Sequence, residues 1–227
     1  MKRLFLFSIL SIVVFSCGKE ALDLTISGEV RGLKKGTLYL ERLVDTNLVS
    51  IDSSVIIGNP QFQFNLSLEE PEVLYLSLDA NSDDEPRIAF FADSGAITIN
   101  TSLKRFFHDA KISGTEEQAL WDQYKAMITN FNNKELDLLK SGIEHAQDSV
   151  YVDSIDNLRQ RNLVRRYQYT VNFAKTNSSS ALAPFLLISE IPDANVSYLD
   201  TVYKSLTEDV LNSKYGQQLK ELIEKKN

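Results

Sequence analysis

Apolar and polar residues alternate with a period of two between residues 23 and 114, in short runs separated by turn residues. The clearest run places Phe62, Phe64, Leu66 and Leu68 on one side and polar residues on the other. Such alternation is typical of strands that bury one face. The pattern predicts seven strands, at residues 24–30, 37–43, 48–57, 62–68, 73–78, 87–91 and 96–100, and a short eighth at residues 111–113.

Short strands that recur about every ten residues favour an antiparallel β-sandwich or a partly open barrel for residues 23–114. A parallel sheet is not expected, because parallel neighbours need long crossover connections that usually contain a helix. No gap between these runs is long enough to hold one.

The period changes after Gly114 to the spacing of helices. Thr115 is of a residue type favoured at the N-cap, and Glu116 and Glu117 suit the first turn. Apolar residues then recur three and four apart, at Leu120, Tyr124, Met127, Ile128, Phe131, Leu136, Leu139 and Ile143. Further helices are predicted at residues 149–175, 181–188, 198–211 and 214–225. We therefore predict an α+β protein, with a sandwich at residues 23–114 and a helical region at residues 115–227.

The composition is that of a globular protein, since 43% of the 227 residues are hydrophobic and 24% are charged. This is enough apolar material for a sizeable core in one or two domains. The formal net charge is −7, and it becomes −9 without the first sixteen residues, which contain two bases and no acid. Nucleic acid is therefore not an expected partner.

The first sixteen residues have the organisation of a signal peptide. Lys2 and Arg3 precede an apolar run over residues 4–15 that is interrupted only by Ser8 and Ser11. A helix that crosses a bilayer needs about 20 residues, so this run is too short for a permanent anchor. We expect residues 1–16 to direct export and to be removed.

The residues around the predicted cleavage site are Val14, Phe15, Ser16, Cys17 and Gly18, and they resemble the lipobox of bacterial lipoproteins. This resemblance implies that the thiol of Cys17 receives a diacylglycerol and that the new amino terminus is acylated. Several acyl chains anchor a protein far more firmly than one. We expect a lipoprotein of the cell envelope, held by its lipid to the outer membrane and facing the periplasm or the cell surface, with residues 17–22 as its tether.

The predicted strands contain the motifs ISGEV at residues 26–30, GTLYL at 36–40, IDS at 51–53 and FQF at 62–64. These motifs resemble an amino-terminal sandwich domain of unknown function in Bacteroidetes lipoproteins, which commonly precedes a thioredoxin-like domain of the TlpA type. The helical region resembles the linker before that thioredoxin domain, at Phe173, Ala174, residues 177–180, Leu186, Leu187, Tyr203, Leu206, Ser213, Tyr215, Gly216 and Leu219.

The resemblance does not include the Cys-x-x-Cys motif that carries the family's redox chemistry. In the full-length relatives a Cys-x-x-Cys dithiol attacks disulfides through a thiolate. Cys17 is the only cysteine of this sequence, which ends at Asn227 where a further domain would have to begin, so the redox activity does not carry over. We expect no catalytic residues and no cofactor.

Two groups of residues of metal-binding types are also interpreted as structural. His108 and His145 are far apart, and neither has a second histidine or a cysteine at metal-binding spacing, so no metal site is predicted. Four acids between two strands suggest calcium as an alternative to a solvated turn, but they match no known calcium loop: Asp79, Asp83, Asp84 and Glu85.

Basic and aromatic residues of the helical region have competing interpretations. One group consists of Arg159, Arg161, Arg165, Arg166, Tyr167 and Tyr169. It is interpreted either as a basic and aromatic binding face or as solvated charge above a tyrosine-lined core, and the second interpretation is favoured. A ligand-stacking strip is one interpretation of Trp121, Tyr124, Met127, Ile128 and Phe131, but their helical spacing favours core residues that contact the sandwich.

Two weaker signals concern the export pathway of the same phylum. Lys19 and Glu20 faintly resemble its surface-export signal. Three triplets resemble its O-glycosylation sequence but fall in or beside predicted helices, at residues 148–150, 153–155 and 200–202.

The function predicted from the sequence is that of a non-catalytic, lipid-anchored binding module. Its partner is a protein, a glycan or a redox enzyme. One alternative is an accessory subunit that docks a separate thioredoxin-like protein through the helical tail. Another is a hydrolase whose site is assembled from scattered acids, which a pocket of converging carboxylates would support.

Overall fold

A computed structural model describes residues 22–79 and 87–226 of the chain. The strands are β1 (Leu22–Arg31), β2 (Lys35–Val44), β3 (Asn47–Ile57), β4 (Gln61–Leu68), β5 (Glu72–Leu78), β6 (Ile88–Ala92), β7 (Gly95–Ser102) and β8 (Lys111–Ser113). The helices are α1 (Glu116–Glu144), α2 (Ser149–Thr176), α3 (Leu182–Glu190), α4 (Val196–Tyr203), α5 (Glu208–Leu211) and α6 (Lys214–Lys226), and a 3-10 turn spans Leu103–Arg105. The predicted α+β order, strands first and helices after, is confirmed.

The eight strands form two four-stranded sheets that pack face to face. We call the sheet ordered β4-β1-β7-β8 the open sheet, and the sheet ordered β3-β2-β5-β6 the covered sheet. The predicted sandwich is confirmed, and the described strands form two separate sheets rather than a closed barrel.

One pair of strands departs from the predicted antiparallel pattern. β1 and β7 run parallel, with Ile26 opposite Ile97 and Gly28 opposite Ile99. The connection between them contains the whole covered sheet and β4, so no crossover helix is needed. A side chain at Gly28 would collide with the backbone carbonyl of Ile99, so the close approach of this pair requires glycine there.

The sandwich core lies between the two sheets and comes from the alternation of each strand. Leu24, Ile26 and Val30 of β1 point into it, as do Phe62 and Phe64 of β4. Its other buried members are Leu33, Leu38, Leu40, Ile56, Leu68, Leu74, Leu76, Ile88, Phe90, Ala92, Ile97 and Ile99. Burial of these residues fixes the register of each strand, because a shift by one residue would turn them to the solvent.

The long helices begin where the sequence indicates. The side chain of Thr115 accepts a hydrogen bond from the Gln118 amide and caps α1, and Asp148 caps α2 in the same way through the Tyr151 amide. The single helix predicted at residues 198–211 is wrong, because the chain forms α4 and α5 there. Between α4 and α5, the amide of Thr207 donates a hydrogen bond to the carbonyl oxygen of Ser178. The Thr207 amide therefore forms no hydrogen bond within a continuous helix.

The helical region packs on the outer face of the covered sheet and forms a third layer. Phe91 of β6 and Val73 of β5 are buried there against Trp121, Tyr124 and other helical residues, namely Ile128, Ala181, Leu182, Leu186 and Tyr215. β5 and β6 are thus buried on both faces. At the opposite edge of the same outer face, Val55 and Ile57 of the edge strand β3 remain exposed.

Helical side chains also satisfy strand amides that have no strand partner. Gln118 accepts a hydrogen bond from the amide of Phe91 at 2.8 Å, and the hydroxyl of Tyr215 accepts one from the amide of Val73 at 2.9 Å. Buried Glu72 pairs with Arg42 at 2.6 Å and with Lys214 of α6 at 3.0 Å. The sandwich and the helices therefore share both a core and a polar network.

Candidate functional site

The outer face of the open sheet is polar along all four strands. Odd-numbered residues of β1 and β4 point outward, and they include Thr25, Ser27, Gln61, Gln63 and Asn65. Within the described residues no helix packs extensively on β1, β4 or β7, although α1 lies against the short β8. Most of this face is therefore left accessible by the rest of the described fold.

Three adjoining concavities follow this face toward the end of β1. The first, of about 520 Å³, is shared by β1, β4 and Ser54. It meets a second, of about 650 Å³, at Glu29 and Asn100. The second meets a third, of about 530 Å³, at Arg31 and Asp109. We call the continuous depression the distal groove, and its polar lining residues are Ser27, Glu29, Arg31, Ser54, Gln61, Gln63, Asn100, Thr101, Ser102, Lys104, Arg105, His108, Asp109 and Lys111.

Cations line one end of the distal groove without ion-pair partners. Among the described residues, no carboxylate lies within 4.0 Å of the charged groups of Arg31, Lys104 or Lys111. Two other bases of the sandwich, Arg42 and Arg87, are paired with buried glutamates. The charges of Arg31, Lys104 and Lys111 are thus not used in ion pairs within the described residues.

Asp109 organises the loop that carries part of this charge. Its carboxylate accepts a hydrogen bond from the Ser102 hydroxyl at 2.6 Å and lies 3.5 Å from Arg105. The Ser102 hydrogen bond is the main cause of the lowered pKa of Asp109; desolvation opposes it, and the nearby charges of Arg105, Arg31 and His108 lower the pKa further. The carboxylate therefore stays ionised and holds the 3-10 turn in place.

The two histidines lie in different parts of the structure. His108 is exposed in the distal groove, and His145 follows α1, where its ring stacks on Tyr151 with 4.2 Å between centroids. In residues 22–79 and 87–226 no three residues of the types His, Cys, Asp and Glu are grouped closely enough to hold a metal ion.

Ion pairs occupy two of the four arginines in the basic and aromatic group of α2. Arg159 pairs with Glu135 at 2.7 Å and Arg166 with Glu190 at 2.9 Å. Tyr169 stacks on Tyr124 inside the interface. The depression of about 410 Å³ between α1 and α2 is lined by these pairs, so its charges are largely neutralised within the protein.

The aromatic strip of α1 is mainly core, as its spacing predicts. Trp121, Tyr124 and Ile128 are buried against the covered sheet, and Phe131 is partly buried. Burial raises the pKa of Tyr124, whose hydroxyl bonds that of Thr170 at 2.8 Å. Met127 is the exception, since 41% of it is exposed.

Other predicted features fall partly outside the described residues. Cys17, Lys19 and Glu20 lie there, as do the acids at residues 83–85, while Asp79 follows β5. The three triplets lie in or directly before α2 and α4. Within the described chain, no helix has the length and apolar character needed to cross a membrane.

Sequence reasoning missed the distal groove because its residues come from separate turns and strands. The available signal is the position of the bases: Arg31, Lys34 and Lys35 border one turn, while Lys104, Arg105 and Lys111 border another. The parallel pairing of β1 with β7 brings these two turns to the same end of the sandwich. Without that pairing the two groups cannot be assigned to one site.

Comparison with known proteins supports the amino-terminal resemblance. No curated protein matches the chain. The family model described as a domain of unknown function (DUF4369) matches residues 24–121, from the first strand to Trp121 in α1. The amino-terminal part of this chain is therefore similar to the DUF4369 domain, in agreement with the resemblance of its strand motifs.

Proposed function

We propose that the protein is a lipid-anchored, non-catalytic binding module of the cell envelope that presents the distal groove away from its membrane. The observation that carries this proposal is the geometry of β1. The strand begins at Leu22, beside the proposed tether, and ends at Arg31, in the groove. Ten extended residues separate these two ends by roughly 30 Å.

The tether limits how far the body sits from the bilayer. Residues 17–21 span at most about 18 Å when fully extended. The end of the sandwich that holds Leu22 and the turn before Gly95 would therefore lie close to the lipid. The distal groove would face the opposite direction, where a soluble or surface ligand can reach it.

Lipidation is tested by metabolic labelling with a fatty acid. We expect the wild-type chain to take up the label and Cys17→Ser to lose it, because the sole thiol is the attachment point. Ser16→Ala keeps both a small residue and the cysteine and serves as the matched control. Label retained by Cys17→Ser contradicts the proposal.

The orientation is tested with fluorophores on introduced cysteines, since lipidation blocks the natural thiol. Ser94→Cys places a probe at the tether end and Lys34→Cys places one at the groove end. We expect a quencher in the lipid to reduce fluorescence at residue 94 and to leave residue 34 nearly unchanged. Equal quenching at both positions contradicts this orientation.

An accessory role beside a thioredoxin-like protein is the second candidate, and an apolar surface favours it. Leu136 and Ile143 of α1 are 63% and 76% exposed near the end of the α1–α2 hairpin, with Val150 beside them on α2. Exposed apolar patches mark sites of protein interaction. Crosslinking in membranes should then recover a Cys-x-x-Cys protein, and Leu136→Gln with Ile143→Gln should abolish its recovery. Crosslinking that recovers no such protein removes this candidate.

A further inference from the structure

We propose that the distal groove binds an acidic glycan, an extended chain of hydroxyl-rich sugars that carry anionic groups at intervals. This inference rests on the proposed function as a binding module and names the ligand of the same site. It follows from the division of the groove into two ends. One end is lined by uncharged polar groups apart from Glu29, and we call it the uncharged end. At the other, the cationic end, the bases Arg31, Lys104, Arg105 and Lys111 outnumber the acids Glu29 and Asp109.

The uncharged end offers hydrogen-bonding groups suited to hydroxyls. Gln61 and Gln63 are exposed on β4, and Ser27, Ser54 and Asn100 line the same concavity. Each amide group provides two donors and one acceptor oxygen, and each serine hydroxyl can do both. A sugar hydroxyl also donates and accepts, so such a lining can satisfy several hydroxyls of one chain without any charge.

The cationic end suits a carboxylate, sulfate or phosphate group on the same chain. Arg31 and Lys111 line the middle concavity together with His108. Neither Arg31 nor Lys111 has an ion-pair partner among the described residues, so both can bind an anion without breaking a contact. Hydrogen bonds between charged partners are about twice as strong as neutral ones, so this end would supply much of the affinity.

The lining argues against a protein partner in the groove. The centres of protein interfaces are apolar and rich in aromatic residues. The lining of the first two concavities is mostly polar, and Phe62, which borders the first, is only 5% exposed.

The charge of the whole chain argues against nucleic acid. Duplex DNA carries one negative charge about every 1.7 Å, and a chain of net charge −7 repels such a polymer outside the groove. A glycan with one anionic group per one or two sugars carries fewer charges along its length. It can place a few of them at Arg31 and Lys111 with less repulsion from the acidic remainder of the protein.

The test measures the affinity of the full protein, purified from membranes in a mild detergent, for defined polysaccharides. Oligogalacturonate supplies carboxylates and dextran sulfate supplies sulfates, so the stronger of the two identifies the preferred anion. Neutral dextran supplies hydroxyls alone. We expect both acidic probes to bind at least about tenfold more tightly than dextran at low salt, and we expect added salt to weaken them.

Two pairs of substitutions separate the two ends of the groove. Arg31→Gln with Lys111→Gln should weaken binding of the acidic probes about tenfold. Lys134→Gln with Lys220→Gln is the matched control, because it makes the same change of net charge at exposed helical positions and should leave the affinity unchanged. Gln61→Ala with Gln63→Ala should weaken oligogalacturonate about threefold without changing the salt dependence.

Several results would overturn the glycan assignment. Polyglutamate or duplex DNA that binds as tightly as oligogalacturonate would show a general polyanion site. Unchanged affinity after loss of Arg31 and Lys111, or no binding of any probe, would remove the groove as the site. Lipidation is measured separately by labelling, so its failure leaves this binding result interpretable, and failed binding leaves lipidation intact.

Discussion

The two sheets of the sandwich share one core but have opposite outer surfaces. Outward positions of the open sheet are polar, such as Thr25, Gln63 and Thr98, and within residues 22–79 and 87–226 no helix packs extensively on β1, β4 or β7. Outward positions of the covered sheet at β5 and β6 are Val73, Tyr75, Ala89 and Phe91, which pack against helices. The described part of the chain therefore packs helices on one outer face and leaves most of the other exposed.

This difference indicates that the helical region is part of the folded unit and not a loosely attached extension. The helices contribute aromatic contacts and also accept hydrogen bonds from two strand amides. A strand amide buried without an acceptor destabilises a fold, so the sandwich and helices depend on each other. Substitutions on the two outer faces should therefore differ greatly in their effect.

The largest effect is expected for Phe91→Ala. The Phe91 ring is fully buried and lies 6.2 Å from Trp121, 6.0 Å from Phe185 and 6.3 Å from Tyr215, centroid to centroid. Removing it should lower the free energy of unfolding by about 3–5 kcal/mol, because it leaves a cavity between sheet and helices. Urea unfolding measures this loss. A loss below about 1 kcal/mol would show that the helical layer adds little to the stability of the sandwich.

A smaller loss is expected for Tyr215→Phe. The substitution keeps the ring but removes the hydroxyl oxygen that accepts the Val73 amide hydrogen bond, in a buried position. The free energy of unfolding should fall by about 1–3 kcal/mol. Tyr198→Phe is the matched control, because that tyrosine is exposed, and it should change stability by less than about 0.5 kcal/mol. Equal effects of the two substitutions would exclude a role for the Tyr215 hydroxyl.

The third prediction concerns the pKa of Asp109, to be measured by NMR titration. Ser102→Ala should raise this pKa toward its ordinary value of 3.8, because the hydrogen bond that stabilises the ionised form is lost. In the wild type, the lowered pKa of Asp109 stabilises the fold at pH values above the ordinary pKa. This contribution is lost as the pH falls through the pKa of Asp109 in the folded protein. This acid-side loss of stability should be smaller in Ser102→Ala. An unchanged pKa in the variant would contradict the assigned cause.

The smallest effect is expected on the open sheet. Gln63→Ala and Thr98→Ala alter outward-facing side chains outside the sandwich core, so each should change the free energy of unfolding by less than about 0.5 kcal/mol. Thermal unfolding of these two variants and of Phe91→Ala under the same conditions compares the two outer faces directly. A loss of 2 kcal/mol or more, a magnitude typical of buried sites, would mean that this face is also needed for folding.

The period of the apolar residues was sufficient to predict most of the local structure. The strand at residues 62–68 and the helix after Thr115 were predicted almost to the residue, because alternation and capping depend on nearby residues only. The break between α4 and α5 was not predicted, since it depends on the contact of Thr207 with the distant Ser178. The candidate site was missed for the same reason.

The sequence by itself determined which residues are apolar, where strands give way to helices, and that Cys17 is the only thiol. It also determined the α+β order that the structure confirms. Only the tertiary structure decided that β1 lies parallel to β7, that one sheet is covered by helices and that the unpaired bases share a groove. These are contacts between residues far apart in the chain, and their selection depends on the packing of whole layers, which no local pattern of residues specifies.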